Sequence, residues 1–162
     1  MLVVGSIILS AALQVGHDPA ELLAVAYTES RWRADALGPS ESIGALQINC
    51  RAWWQHFKFN SEAGCRATLG SNIKRNVEAS IYILQRYRKR YARCAGDNVY
   101  ACYNGGPSWH RLSKRAQWRV QNYQHEVIRR RELIRPLLNQ PIDVIWKALK
   151  ADEATCRSLR KT

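Results

Sequence analysis

The chain has 162 residues, 46% of them hydrophobic, and a formal net charge of +12. Length and composition fit one globular domain with a real core and exclude global disorder. The charge favours an anionic partner such as nucleic acid, anionic lipid or an acidic wall polymer. No DNA- or RNA-binding motif is present, so a nucleic-acid partner is not expected.

Residues 2–13 are apolar, and no Lys or Arg precedes them as in a secretory signal. The run is too short to span a bilayer, which takes ~20 residues. It reads as a buried first helix ending near Gly16. Asp18-Pro19 then starts a second helix that should reach about residue 31. Asp18 can accept from an orphan N–H, Pro19 suits the first helical position, and Glu21 completes a capping-box pattern. Leu22, Leu23, Val25 and Ala26 are its apolar residues. Glu29 lies seven, four and three positions after Leu22, Val25 and Ala26, which puts its carboxyl on the apolar face. A carboxylate there is costly to ionise, so its pKa should rise, as a general acid working near neutral pH requires. The plainer alternative is a helix-end glutamate reaching solvent or pairing with Arg33.

The helix runs out at residues 30–33. Gly38, Pro39, Ser40 and Ser42 mark a turn-rich loop, and residues 39–48 can close a small hairpin. Gln47 sits between Leu46 and Ile48, a polar amide that needs a partner in the protein or in a ligand. Trp53 and Trp54 fall in a short helix and point different ways, one to the core and the other free to stack on a sugar. Residues 60–70 read as a loop broken by Gly64 and Gly70. A long scaffold helix follows from about 71 to 92. Asp97-Asn98 starts a shorter one that ends at Tyr103-Asn104, where Gly105 and Gly106 let the chain turn. Taken alone, Tyr103 is a half-buried core tyrosine and Asn104 a helix C-cap. Residues 109–131 form another amphipathic helix, ended by Pro136. Pro141 opens a last helix with Ile142, Ile145, Trp146 and Leu149 inward, and the end is expected to fray from about Asp152.

The five cysteines contain no C-x-x-C pair, and the four histidines are scattered, so no metal site is expected. Cys50/Cys65 and Cys94/Cys102 are spaced to close short disulfide loops, with Cys156 left over. Free buried thiols fit the sequence equally well.

Glu29-Ser30, then Gly44-Ala45-Leu46-Gln47-Ile48, then Tyr103-Asn104-Gly105-Gly106 resembles the ES, GLMQ and AYNAG motifs of the soluble lytic transglycosylase family, in order and at similar spacing. The resemblance covers roughly residues 11–123. It implies a mostly α, lysozyme-like single domain with one small β-hairpin, its core at about 11–135 and a helical extension at 136–162. It implies action on peptidoglycan strands in the periplasm or cell wall, whether host- or phage-encoded, by a monomer without cofactor. Glu29 would be the catalytic acid. Gln47, Tyr103, Asn104, Ser42 and Trp53 would bind glycan, with the Tyr103 hydroxyl near Glu29, and Ser30 would brace the helix end. The family usually carries serine where Gly38 stands, and Leu46 replaces a methionine. Three functions follow: a lytic transglycosylase leaving a 1,6-anhydro end, a lysozyme-like hydrolase using a second group such as Glu41, and a degenerate basic wall-binding protein.

Overall fold

The computed structural model of the protein describes residues 1–38 and 40–159. Pro39 and the last three residues of the expected frayed end lie outside them. The order is α1 (Leu2–Gln14), α2 (Pro19–Ser30), α3 (Cys50–Trp53), α4 (Glu62–Ser71), α5 (Ile73–Arg90), α6 (Asn98–Gly105), α7 (Lys114–Ile134) and α8 (Ile142–Leu159), with short 3-10 turns before α6, before α7 and after it. The fold is mostly α. Among the described residues, its β structure consists of two antiparallel bridges, Leu37 with Ile43 and Ile43 with Ile48. Among the described residues, no helix is long and apolar enough to cross a membrane.

α2 is the central element. Asp18 accepts from Ala20 N at 2.9 Å and caps it, as the sequence implies. Every residue from Ala20 to Tyr27 is buried, because α1 and α7 pack against it. Glu21 corrects the capping-box reading. Its carboxylate turns inward to meet Arg88 of α5 and His17. Burial alone would push Glu21 up, but hydrogen bonds from His17 and Arg88 outweigh it and hold the carboxyl at about 2. A buried acid is tolerable here only because it is paired.

The helix ends without a glycine. Arg31 and Trp32 both adopt left-handed backbone, with φ of 54° and 58°. Arg31 N donates to Tyr27 O, the bond of an αL-type helix end, and Trp32 N donates further back to Ala26 O. Such conformations cost on the order of 1 kcal/mol or more each in side-chain-bearing residues. Trp32 is held by full burial and by Nε1 donating to Leu23 O at 2.9 Å. Arg31 is held by Glu153 of α8, which also accepts from Tyr27 O–H at 3.0 Å.

Three further expectations need correction. α1 buries only one face, through Gly5, Ile8, Ala11 and Ala12, and leaves Val3 and Leu13 exposed. Residues 62–71 are helical rather than loop. Ser61 caps them, and Gly70 lies where Ile43 packs too close for a side chain. The chain does not fray at Asp152. α8 continues to Leu159, Asp152 pairs with Arg129, and Glu153 anchors Arg31. Both cysteine pairs close as disulfides, Cys50–Cys65 and Cys94–Cys102, and Cys156 is free.

Trp32 packs against Trp146 at 5.3 Å and Tyr27 at 6.1 Å, tying α8 to the α2 end. A Cβ on Gly5 would fall 2.7 Å from the Trp32 ring. Gly→Ala in a helix ordinarily gains up to ~1 kcal/mol. At position 5 that sign should reverse, with Gly5→Ala destabilising by about 1–3 kcal/mol through overpacking, as read from chemical denaturation.

Candidate active site

The last turn of α2 delivers Glu29 to the wall of a groove of about 370 Å³. All six residues singled out in the sequence, Glu29, Ser42, Gln47, Trp53, Tyr103 and Asn104, line this one space. They come from four elements: α2, the 40–49 loop, α3 and the end of α6. Ile83 and Tyr87 of α5 complete the wall, and Ser40 and Asn49 also face it.

Glu29 is half-buried by exposed area, with its open side on the groove and dense protein around the rest. It forms no ion pair among the described residues, and Arg33, the alternative partner, turns back so that its Nε donates to Ser30 O at 3.3 Å. Its hydrogen bond comes from Tyr123 of α7, whose hydroxyl donates to Glu29 Oε1 at 2.6 Å. Burial pushes the Glu29 carboxyl up to about 7, and the Tyr123 hydrogen bond opposes that rise without cancelling it. The C-terminal end of a helix adds its own reluctance to hold a negative charge. Burial and the Glu29 charge in turn hold the Tyr123 hydroxyl well above its ordinary range, so it remains a donor.

The Tyr103 hydroxyl was expected near Glu29, orienting the carboxyl or the substrate; it is near, but it makes no hydrogen bond to that carboxyl. It donates to Leu46 O at 2.7 Å and contacts Ser80 Oγ at 3.1 Å. The reason is the α6–α5 packing, which sets Tyr103 over the 40–49 loop while α7 brings Tyr123 across Glu29. Tyr103 still borders the groove, and burial, followed by the nearby Glu29 charge, keeps its hydroxyl neutral. The sequence signal for Tyr123 was its place between Val120 and Val127, both buried, on the inward stripe of α7.

Gln47 answers its own need for a partner. Its Nε2 donates to Ala36 O at 3.0 Å and Gly44 O at 2.9 Å, and its side-chain carbonyl accepts no hydrogen bond among the described residues. These bonds hold a left-handed backbone, φ 50°, at a residue that carries a side chain. They also account for Gly38, since a Cβ there would lie 2.1 Å from Gln47 Oε1. A serine side chain at position 38 and this placement of Gln47 are sterically incompatible.

The rest of the loop is fastened from behind. Buried Asn76 of α5 accepts from Leu46 N and donates to Ile43 O, both at 2.9 Å. Gly44, at φ 81°, lets that side chain approach, because a Cβ would meet its Nδ2 at 2.4 Å. Ser30 Oγ donates to Ala45 O at 2.7 Å and accepts from Arg33 N at 3.0 Å, so the brace expected of it is present. Asn49 caps α3 by accepting from Ala52 N. Trp53 is 9% exposed and its ring stacks on Phe57, so little of it is available to a ligand.

Glu41, the candidate second acid, is paired with Arg66 outside the groove. Among the described residues, Glu29 is the one carboxylate lining it.

The sequence profile of the transglycosylase SLT domain matches residues 6–125. The chain belongs to that family. No curated protein and no solved structure matches it significantly. The SLT match places the chain among peptidoglycan-acting domains of lytic transglycosylase type. It contains the helix of Glu29 and the whole groove, and it stops two residues past Tyr123.

The raised Glu29 pKa has a consequence for stability. Between pH 4.5 and about 7, the folded chain holds a proton that the unfolded chain releases. This contribution is full below pH 4.5 and is lost as pH rises through about 7. Thermal melts should therefore show Glu29→Gln gaining stability relative to the parent between pH 4.5 and 8. In Tyr123→Phe, with the opposing hydrogen bond removed, the loss should extend to higher pH.

Proposed function

We propose that the protein is a peptidoglycan lytic transglycosylase. It would cleave the β-1,4 bond between N-acetylmuramic acid and N-acetylglucosamine and leave a 1,6-anhydro end. Glu29, protonated near neutral pH, donates its proton to the glycosidic oxygen. The sugar passes through an oxocarbenium-like state. Glu29, now ionised, accepts the proton of the same sugar's C6 hydroxyl as that oxygen closes on C1. Atoms and charge balance without water entering.

The observation that carries this reading is the lone carboxylate. Hydrolysis on a glycosidase scaffold generally uses two carboxyl groups within about 5–10 Å of each other. Glu41 is tied to Arg66, and Asn49 is an amide that cannot act as a base. A single group that serves first as acid and then as base fits what lines the groove. A positioned general acid contributes ~10²–10⁴-fold, and the remainder comes from holding and distorting the strand.

The other residues take supporting roles. Tyr123 is a positioning residue that fixes the carboxyl. The Gln47 carbonyl oxygen and Asn104 are the polar groups facing the sugars, and Ser40 and Ser42 offer hydroxyls where position 38 has none. Tyr103 holds the wall through Leu46. Trp53 and Tyr87 supply apolar contact for pyranose faces.

Mass spectrometry of products from purified peptidoglycan tests this directly. The expected muropeptides are one water lighter than reducing-end products, and kcat/KM should fall above about pH 7. Glu29→Gln should lower turnover by at least ~10²-fold while remaining folded. Reducing-end products would replace the transglycosylase reading with a hydrolase. No soluble product would leave a wall-binding protein.

A further inference from the structure

Residues 98–125 contain no Asp or Glu and carry four cations, Arg111, Lys114, Arg115 and Arg119. All four are exposed, and none forms an ion pair among the described residues. They lie in the turn before α7 and in its first two turns. Leu112 and Trp118 of the same stretch are 41% and 63% exposed. The reaction described above uses none of these residues.

The stretch is held as one surface. At helical spacing, Lys114 and Arg115 lie one turn before Trp118 on the same side of α7, and Arg119 lies one turn after Arg115. The turn ahead of the helix is tied to it, because Gln117 Nε2 donates to His110 O and to Leu112 O, both at 2.8 Å. Exposed Arg93 joins from the turn before α6, with its Nη1 2.7 Å from His110 Nε2. A Cβ on Gly105 would fall 2.7 Å from the side chains of both Trp109 and Val120. The end of the groove wall therefore packs directly on this turn and on α7.

The charge here is uncompensated from within the fold. Cations in the first turn oppose the helix dipole, and the first turn of α7 holds no acid to offset them. The first acid along α7 is Glu126, which borders the space beyond Trp118 and pairs with Arg130 at 3.1 Å. Arg129, in the same space, pairs with Asp152, and Asp97 pairs with Arg131. The excess positive charge thus surrounds the two exposed apolar side chains.

Three occupants can be weighed. A second copy of a chain with net charge +12 would bring like charge to this face. A soluble polyanion would meet the cations and leave Leu112 unused. A bilayer surface uses both kinds of group: acidic headgroups meet Lys and Arg, and Trp settles at headgroup level with apolar side chains below it. We propose that residues 111–119, with Arg93, dock the protein on a bilayer rich in anionic phospholipid. Close packing at Gly105 then fixes the orientation of the groove relative to that surface. The proposal does not depend on the peptidoglycan reading.

Vesicle co-sedimentation tests it. The parent should bind vesicles of phosphatidylglycerol mixed with phosphatidylcholine at least ~10-fold more tightly than vesicles of phosphatidylcholine alone. Trp118→Ala should weaken that binding about three- to thirtyfold, and Trp118→Phe should recover part of it. Arg115→Gln combined with Arg119→Gln should weaken it about tenfold or more and reduce its salt dependence. Thermal melts check that each variant is folded. Equal binding to both kinds of vesicle overturns the proposal. Binding that falls in the arginine variant but not in Trp118→Ala would mark a site for any polyanion, with inorganic polyphosphate as the matching probe, and also overturns it. Without lipid, Trp118→Ala should cleave purified strands as the parent does. A fall in kcat/KM there would assign Trp118 to the glycan and overturn the docking. A parent that cleaves nothing would retire the enzymatic reading and leave the vesicles to decide the surface.

Discussion

One contact organises this molecule: a carboxyl at the exit of a buried helix, held by a tyrosine hydroxyl 2.6 Å away and by no cation among the described residues. Each neighbouring feature either keeps that carboxyl dry or keeps it in place. α2 is enclosed by α1 and α7, so Glu29 emerges only at its last turn. An arginine in the place of Tyr123 would have held the carboxyl ionised and useless as an acid. A hydroxyl orients it and leaves its proton affinity high.

The turn that follows Glu29 is strained, and that strain is balanced from several sides. Arg31 and Trp32 are both left-handed, and neither is glycine. Glu153, from a helix beyond the family match, accepts from Arg31 and Tyr27. Arg130 of α7 donates to Thr28 at 2.8 Å and lies over the Tyr27 ring. The α2 end is thus clamped by α7 and α8 behind the groove. On the groove side, Asn76, Ser30 and Tyr103 fix the 40–49 loop through its own carbonyls and amide. The two disulfides fasten both walls, Cys50 at the start of α3 and Cys102 beside Tyr103. Preorganisation of this kind removes reorganisation from the reacting step.

Local signals were legible and distant ones were not. Asp18-Pro19 announces its helix because capping is a matter of two or three residues. The spacing of Glu29 along α2 shows the face it takes, and the glycines after Asn104 show the turn that brings that residue to the groove. Gln47 was visible as a polar group requiring partners, but not that the protein itself satisfies its amide nitrogen. Tyr123 lies 94 residues from Glu29, and helical periodicity says that it points inward without saying toward what. The capping reading of Glu21 failed for a similar reason, since Arg88 is 67 positions away and its charge outweighs a local cap. α4 was hidden by Gly64 and Gly70, which are weak helix formers kept by a cap, a disulfide and a close-packed isoleucine. The polar end of α8 looked unanchored because the cations that anchor it, Arg129 and Arg31, belong to other elements.

The central claim concerns the proton affinity of one side chain, and carbon-13 NMR of the Glu29 carboxyl carbon across pH reads it directly. The account predicts a single titration near pH 7, absent in Glu29→Gln, in a chain that stays folded throughout. A midpoint at the ordinary glutamate value of 4.5 would contradict it, because the group would then be ionised where it is asked to give up a proton.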